Sequence, residues 1–425
     1  MPVHFEIKEL GPLKNTSFEF YPFLLFSGES NMGKSYVGFL VYSFFKILND
    51  DELLKKFVIN HYNIEEITEK LLEGKGVSID FHVQCLIDFA NEELPNMMAY
   101  LSGNEDINCK VIISLNEVKK DIKLILSIPK ESQEWVAINI MQPNSRRIGG
   151  ANVNHLPNAF VDSIKHISYH YFRGFAEDFP QNFFLFSTGR GNLLTSSFTE
   201  KEKYASNLGM HKEFLYAMDL LLSPNYNGKV EQYEFLTQLR NEIFGGEVKN
   251  RDGALSYKKK DVNIPLKSAA SSVKELSPLY FLLNKISPSH FSLLFEEPET
   301  HLHPNLQRKL ANLLAYLVNE GAYLQITTHS DYMMQQWDFL IMLYYLKQKS
   351  PEKYAEIAAK TGLDEHLALN PEKVGAYIFE PREDGSVAMR KATISEDEVL
   401  PFDSFQKVIE EMSEQRYILT QELSS

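Results

Sequence analysis

Gly28-Glu29-Ser30-Asn31-Met32-Gly33-Lys34-Ser35 has the form G-x-x-x-x-G-K-S, and the fold is read outward from it. Such a loop wraps a phosphate with successive backbone N–H groups. Its lysine reaches the β- and γ-phosphates, and its final hydroxyl takes one position on Mg2+. Lys34 and Ser35 hold those places, with Gly28, Glu29, Ser30, Asn31, Met32 and Gly33 as the cradle. Gly28 and Gly33 supply backbone angles and close approach that a Cβ would block. The motif requires a strand before it and a helix after it. Phe23-Leu24-Leu25-Phe26 is a short apolar run suited to a buried strand. Tyr36 to Lys46 is a mostly apolar stretch suited to a buried helix, whose first amides face the same anion.

A second chemical motif lies far along the chain. Phe291-Ser292-Leu293-Leu294-Phe295 runs into Glu296-Glu297-Pro298-Glu299. A buried strand delivering adjacent carboxylates at its C-terminal end is the Walker B arrangement, at the edge where open α/β sheets bind ligands. Successive strand residues point to opposite faces, so the two carboxylates have separate roles. Glu296 is expected to hold the hydration shell of Mg2+, and Glu297 to orient or deprotonate an attacking water. Pro298 stops the strand. In Thr300-His301-Leu302-His303-Pro304 two histidines stand two residues apart with no third ligand nearby, which fits packing at a domain or dimer contact better than metal binding. Pro304 opens a helix with Leu306, Leu310, Leu313, Leu314 and Leu317 on its buried face, and Gly321 is placed to end it. Tyr323 to Thr327 reads as a further strand. His329 then stands at its tip, where a ring nitrogen can hydrogen-bond a γ-phosphate.

Composition narrows the class. A chain of 425 residues suggests two or three subdomains. Cys85 and Cys109 are its only cysteines and match no metal or redox spacing, which fits a reducing cytosol. No apolar stretch is long enough to span a bilayer and no signal peptide is visible, so a cytoplasmic protein without a membrane partner is expected. The net charge of −14 weighs against nucleic acid as the main partner, because that binding is driven by basic surfaces. Lys258-Lys259-Lys260 is a local basic cluster that reads as a solvated turn.

Between the two motifs the period changes several times. Val3 to Lys8 and Ser17 to Phe20 read as strands, and residues 50–105 as mostly helical. Val111 to Leu115, Ile122 to Leu126 and Trp135 to Ile140 read as strands of an antiparallel sheet. Residues 141–158 read as a loop, Phe183 to Phe186 as a buried strand, and 198–222 and 229–244 as helices. Asp252-Gly253 is a hairpin turn signal. Long coiled-coil arms would need sustained heptads, and none is visible in the insertion.

These motifs together resemble the ABC-type AAA family ATPases, a group related to the SMC-like repair ATPases and the OLD-family ATPase domain. The resemblance is carried by Gly28 to Ser35, by Leu293 to Pro304 with its Glu-Glu-Pro-Glu-x-His-Leu-His-Pro string, and by Thr327 to Ser330. It implies an α/β P-loop NTPase of ABC type, a mixed sheet flanked by helices. The core would comprise residues 1–50 and 161–345, with an inserted α+β lobe at 51–160 and a C-terminal α/β extension at 346–425. It implies ATP with Mg2+. The guanine-reading alternative lacks its aspartate after Asn284-Lys285. It implies a homodimer or higher oligomer whose composite sites place Ser271, in Ala269 to Leu276, against the γ-phosphate held by a second protomer. Ser272 and Lys274 stand where the family commonly has Gly and Gln. Arg190, closing Ser187-Thr188-Gly189-Arg190, is implied as a further phosphate contact. The tail lacks the Glu and Asp-x-Asp cluster of a fused nuclease. Stand-alone ATPases of this type serve in bacterial anti-phage systems such as Septu and PARIS, so a separate nuclease or toxin effector is implied as partner. The alternatives are a low-turnover nucleotide-gated scaffold and a DNA sensor of the repair type.

Overall fold

A computed structural model of the chain describes residues 3–115, 122–129, 134–140, 146–173, 180, 182–196, 208–226, 234–251, 253–396, 400 and 403–424. Its largest sheet has nine strands, numbered here in chain order. They are β1 (Val3–Leu10), β2 (Leu13–Glu19), β3 (Phe23–Ser27), β4 (Cys109–Leu115), β5 (Asn182–Phe186), β6 (Phe291–Glu296), β7 (Tyr323–Thr328), β8 (Val374–Pro381) and β9 (Val387–Lys391). The spatial order is β4-β1-β2-β9-β8-β3-β7-β6-β5. From β8 to β5 every neighbour is parallel. β4, β1 and β2 form an antiparallel wing, and β9 joins it to β8. The sheet is therefore mixed and flanked by helices, as the P-loop reading requires.

Central strands of a parallel sheet are covered on both faces, so they read as unbroken apolar runs. β6 and β7 are buried at every position. The side chains still alternate between two cores. Leu24 and Phe26 enter the core under the P-loop helix, while Phe23 and Leu25 enter the core on the opposite face. Leu294 goes with the first core and Leu293 and Phe295 with the second. The P-loop helix, Lys34–Ile47, lies directly on β6. A Cβ at Gly38 would stand 2.7 Å from a methyl of Leu294, so any larger residue there would have to push that buried side chain aside.

The C-terminal region departs from expectation. Residues 346–425 are not set apart as an extension, because β8 and β9 lie inside the main sheet, β8 directly beside the P-loop strand. The inserted region departs too. Its first expected strand, Cys109–Leu115, pairs with β1 at the edge of the main sheet. The others, Ile122–Ser127 and Trp135–Ile140, form a separate four-stranded antiparallel sheet with Val77–Phe81 and Arg146–Asn152. Val77–Phe81 interrupts the stretch read as helical, and Arg146–Asn152 lies where a loop was read. The helix Leu156–Arg173 covers this sheet, and Phe57, Phe81, Leu124, Val136 and Phe160 join the core beneath the P-loop helix. The lobe thus shares its core with the sheet rather than folding apart.

The remaining helices run close to their expected spans, Gly209–Leu222 and Glu234–Phe244 among them; 198–200, 201–207 and 229–233 lie outside the described residues. Glu247–Arg251 and Ala254–Lys259 pair antiparallel around the expected turn, of which Asp252 is not among the described residues. Lys260 turns that chain back into Val262–Pro265. Among the described residues no helix is long and apolar enough to cross a membrane.

Candidate functional site

Pairing register brings the chemistry to one edge. Thr327 lies opposite Phe26 on β3 and opposite Glu296 on β6, and Thr328 lies opposite Ser27. The P-loop, the acidic turn and His329 therefore leave three adjacent parallel strands at the same level. That is the carboxyl edge where open α/β sheets bind ligands.

The P-loop turns at Gly28 (φ 145°), Asn31 (φ 63°) and Gly33 (φ 89°), angles that place glycines at two of the three. A Cβ on Gly28 would also stand 2.9 Å from the Phe379 carbonyl oxygen on β8. Glu29, Ser30 and Asn31 are exposed, Met32 half-buried. Lys34 is buried, and its Nζ donates to the carbonyls of Gly28 (2.9 Å) and Glu29 (2.6 Å). Burial lowers its pKa to about 8, while the nearby carboxylates of Glu297, Glu299 and Glu29 act in the opposite direction. Lys34 thus lies within electrostatic reach of Glu297 and Glu299.

Glu296 is buried. Burial raises the pKa of its carboxyl, while the Ser35 hydroxyl and the Thr188 backbone N–H beside it act in the opposite direction. Its Oε2 has no partner among the described residues. A buried carboxylate oxygen left open beside the P-loop hydroxyl suits a hard cation that takes oxygen ligands, so Ser35 and Glu296 fit Mg2+. Among the described residues no group of three or more His, Cys, Asp or Glu side chains forms a separate metal cluster. Nδ1 of His303 accepts from the Asn305 N–H and caps the helix that Pro304 opens.

Glu297 faces the cleft from a strained turn, with φ 41°. Its Oε1 lies 3.5 Å from His329 Nε2. The imidazole, with the charges of Lys34 and Arg190 behind it, holds the Glu297 carboxyl below the usual carboxylate range despite burial. It is therefore an ionised acceptor at neutral pH. Glu299, which the sequence reading left without a role, fixes the neighbouring strand end. Its Oε1 accepts from the Thr328 hydroxyl (2.9 Å) and from the His329 N–H (2.6 Å). The only signal for it in the sequence is a third carboxylate directly after the strand-ending proline.

Arg190 does not sit where the resemblance put it. It is fully buried, with its guanidinium stacked 4.5 Å over the Phe295 ring. It donates to the carbonyls of Ser187 (3.2 Å), Glu275 (3.0 Å), Glu296 (2.7 Å) and Glu297 (3.2 Å), and it pairs with the Glu275 carboxylate at 3.5 Å. A side chain so engaged and covered cannot reach a phosphate; it ties the acidic turn to the helix Ser271–Lys285. Ser271 stands exposed at the first position of that helix, whose cap is Ala270 without a side-chain bond. The hydroxyl does not cap its own helix.

The sequence matches the model for the AAA ATPase domain over residues 192–334. No curated protein matches it. Among solved structures it overlaps an SMC head bound to the C-winged helix domain of ScpA (13% identity, 93% of this chain and 98% of the other, TM-score 0.37). It also overlaps the Smc head domain with an extended coiled coil bound to the C-terminal domain of ScpA from Pyrococcus furiosus (14%, 96% and 98%, 0.38). A third is the SMC head domain from Thermotoga maritima (8%, 93% and 100%, 0.33). Overlaps this loose carry no weight for function, which rests on the AAA ATPase match and on the site itself.

Proposed function

We propose that the chain binds and hydrolyses ATP, closes as a dimer around the nucleotide, and uses that closure to switch a partner. The observation that carries this reading is the Glu296 carboxyl, buried beside the Ser35 hydroxyl with its Oε2 unpartnered among the described residues, and with Lys34 and Glu297 close enough to influence each other's charge. The backbone amides of Gly28 to Ser35 bind the phosphates, and Lys34 exchanges its two carbonyl acceptors for phosphate oxygens. Mg2+ held by Ser35 and Glu296 would neutralise charge on the β- and γ-phosphate oxygens. Glu297 accepts a proton from the attacking water as the new P–O bond forms and the bond to the bridging oxygen breaks. His329 orients Glu297 and hydrogen-bonds the γ-phosphate, so it senses hydrolysis. Ser271 of the partner subunit completes the site from the exposed start of its helix.

Glu297→Gln keeps the shape of the site and removes the proton acceptor. ATP should still bind, while turnover falls about 100-fold or more and the closed dimer accumulates. Undiminished turnover in that variant removes the water-activating role. The family resemblance supports a separately encoded nuclease or toxin as the switched partner, in bacterial anti-phage defence within the cytoplasm. Co-purification of a neighbouring gene product, with ATPase and nuclease assays on the assembly, tests that part.

A further inference from the structure

Ser187 follows β5 with a hydroxyl that bonds nothing among the described residues. The residue is 0% exposed, and its Oγ is buried without a partner there. A buried hydroxyl left unpaired costs stability, and an alanine in its place would not carry that cost. The Oε2 of Glu296 is in the same condition. The two oxygens belong to one place. Leu185 on β5 lies opposite Leu294 on β6, and both enter the core under the P-loop helix. Two residues further along each chain segment stand Ser187 and Glu296, so alternation turns both to that same side. The strand ends are also level. Nη1 of Arg190 donates to the carbonyls of both residues, Ser187 at 3.2 Å and Glu296 at 2.7 Å. The backbone N–H of Thr188, the next residue, lies beside the Glu296 carboxyl, as does the Ser35 hydroxyl.

A protein-bound Mg2+ usually keeps several of its waters. A water on the cation turns its lone pair to the metal and both hydrogens outward, so it calls for two acceptors. Ser187 Oγ and Glu296 Oε2 are two such acceptors on one side of adjacent strands. We propose that Ser187 is a positioning residue of the Mg2+ site, its hydroxyl and the Glu296 carboxylate together holding one water of the cation's shell. This rests on the reading of Ser35 and Glu296 as the pair that holds the cation. It also divides the work within Ser187-Thr188-Gly189-Arg190. Arg190 fixes the two strand ends, and Ser187 uses their placement.

Mn2+, a hard cation like Mg2+, serves as the probe. It is titrated into the intact chain with protein in excess over ADP, and free Mn2+ is counted by its paramagnetic resonance signal. Ser187→Ala should weaken Mn2+ binding about tenfold, the scale of losing an outer-shell partner. ADP affinity in chelator should match the wild type, because the serine serves the metal and not the phosphates. The Tm of the protein without ligands should not fall, since the variant removes a hydroxyl that bonds nothing. Ser187→Cys keeps the volume but offers a poor acceptor, and it should weaken Mn2+ as well. Mn2+ bound at wild-type strength by the alanine variant overturns the proposal. So does weakening by alanine but not by cysteine, which would point to lost volume, and so does an ADP affinity that falls equally with and without the metal. Ser35→Ala keeps this test apart from the reading beneath it. If Ser35→Ala weakens Mn2+ and Ser187→Ala does not, the proposal fails and the Mg2+ pair stands. If neither variant weakens it, the pair itself has failed.

Discussion

Lys34 sits where two demands conflict. Burial brings its pKa to about 8, yet its work on a triphosphate needs the ammonium form. Bound phosphates favour the charged form, so the pKa in the complex lies above that of the free protein. The complex then holds more protons than its parts in the window above pH 8. Affinity should be level below about pH 8 and fall above it, by at most about tenfold per pH unit. The last ionisation of a phosphate lies near pH 6, so the nucleotide itself is not titrating there. Titration with a fluorescent ATP analogue from pH 7 to 9.5 measures the slope. Calorimetry in two buffers of different ionisation heat should show proton uptake near pH 8.5. A level affinity across that range would mean that binding does not change the protonation of Lys34, and Lys34→Ala would then decide whether it carries the phosphate contact.

Among elements, the decisive joint is the one Arg190 makes. One planar fork spans the turn after β6, the end of β5 and the helix Ser271–Lys285. Removing it leaves several buried carbonyls without a donor and the buried Glu275 carboxylate without its counter-charge. Arg190→Met should therefore cost about 3–5 kcal/mol in urea unfolding, in the range for breaking a buried pair. Arg190→Lys keeps the charge but offers a point in place of a fork, and should fall between the two. A midpoint unchanged in the methionine variant would show the joint to be idle. The same residue marks the limit of sequence reading. Its basic character and its place beside the nucleotide motifs were visible, but whether it faces phosphate or carbonyls depends on three distant segments. Strands β3, β6 and β7 were legible because each is a local apolar run ending in a motif. β8 and β9 were not placed, because the partner of β8 lies some 350 residues earlier and nothing local names it. Arg146–Asn152 was missed for another reason: Gly149 and Gly150 lower its strand propensity, and pairing with Trp135–Ile140 supplies the order instead.

At the scale of the whole molecule, the proposed mechanism makes each active site the property of two chains. One protomer would supply Lys34, Ser35, Glu296, Glu297 and His329, and the other Ser271. Lys34→Ala and Ser271→Arg should each inactivate a homodimer, the first by losing the phosphate contact and the second by placing a long cation where a hydroxyl must fit. Mixed, they should complement. In a mixed dimer one site carries both lesions, but the other takes its intact P-loop from the Ser271→Arg chain and its intact serine from the Lys34→Ala chain. With random exchange, half the dimers are mixed and each has one sound site of two, so roughly a quarter of wild-type turnover should return. Steady-state phosphate release from equimolar mixtures measures this, after long equilibration so that chains exchange. If the mixture stays as inactive as its parts while size measurements show that mixed dimers form, the sites are not shared and Ser271 acts, if at all, within its own chain. Ser271→Arg changes an exposed helix start, while Lys34→Ala removes two bonds to the P-loop carbonyls of Gly28 and Glu29, so circular dichroism and Tm of each variant alone separate complementation from refolding.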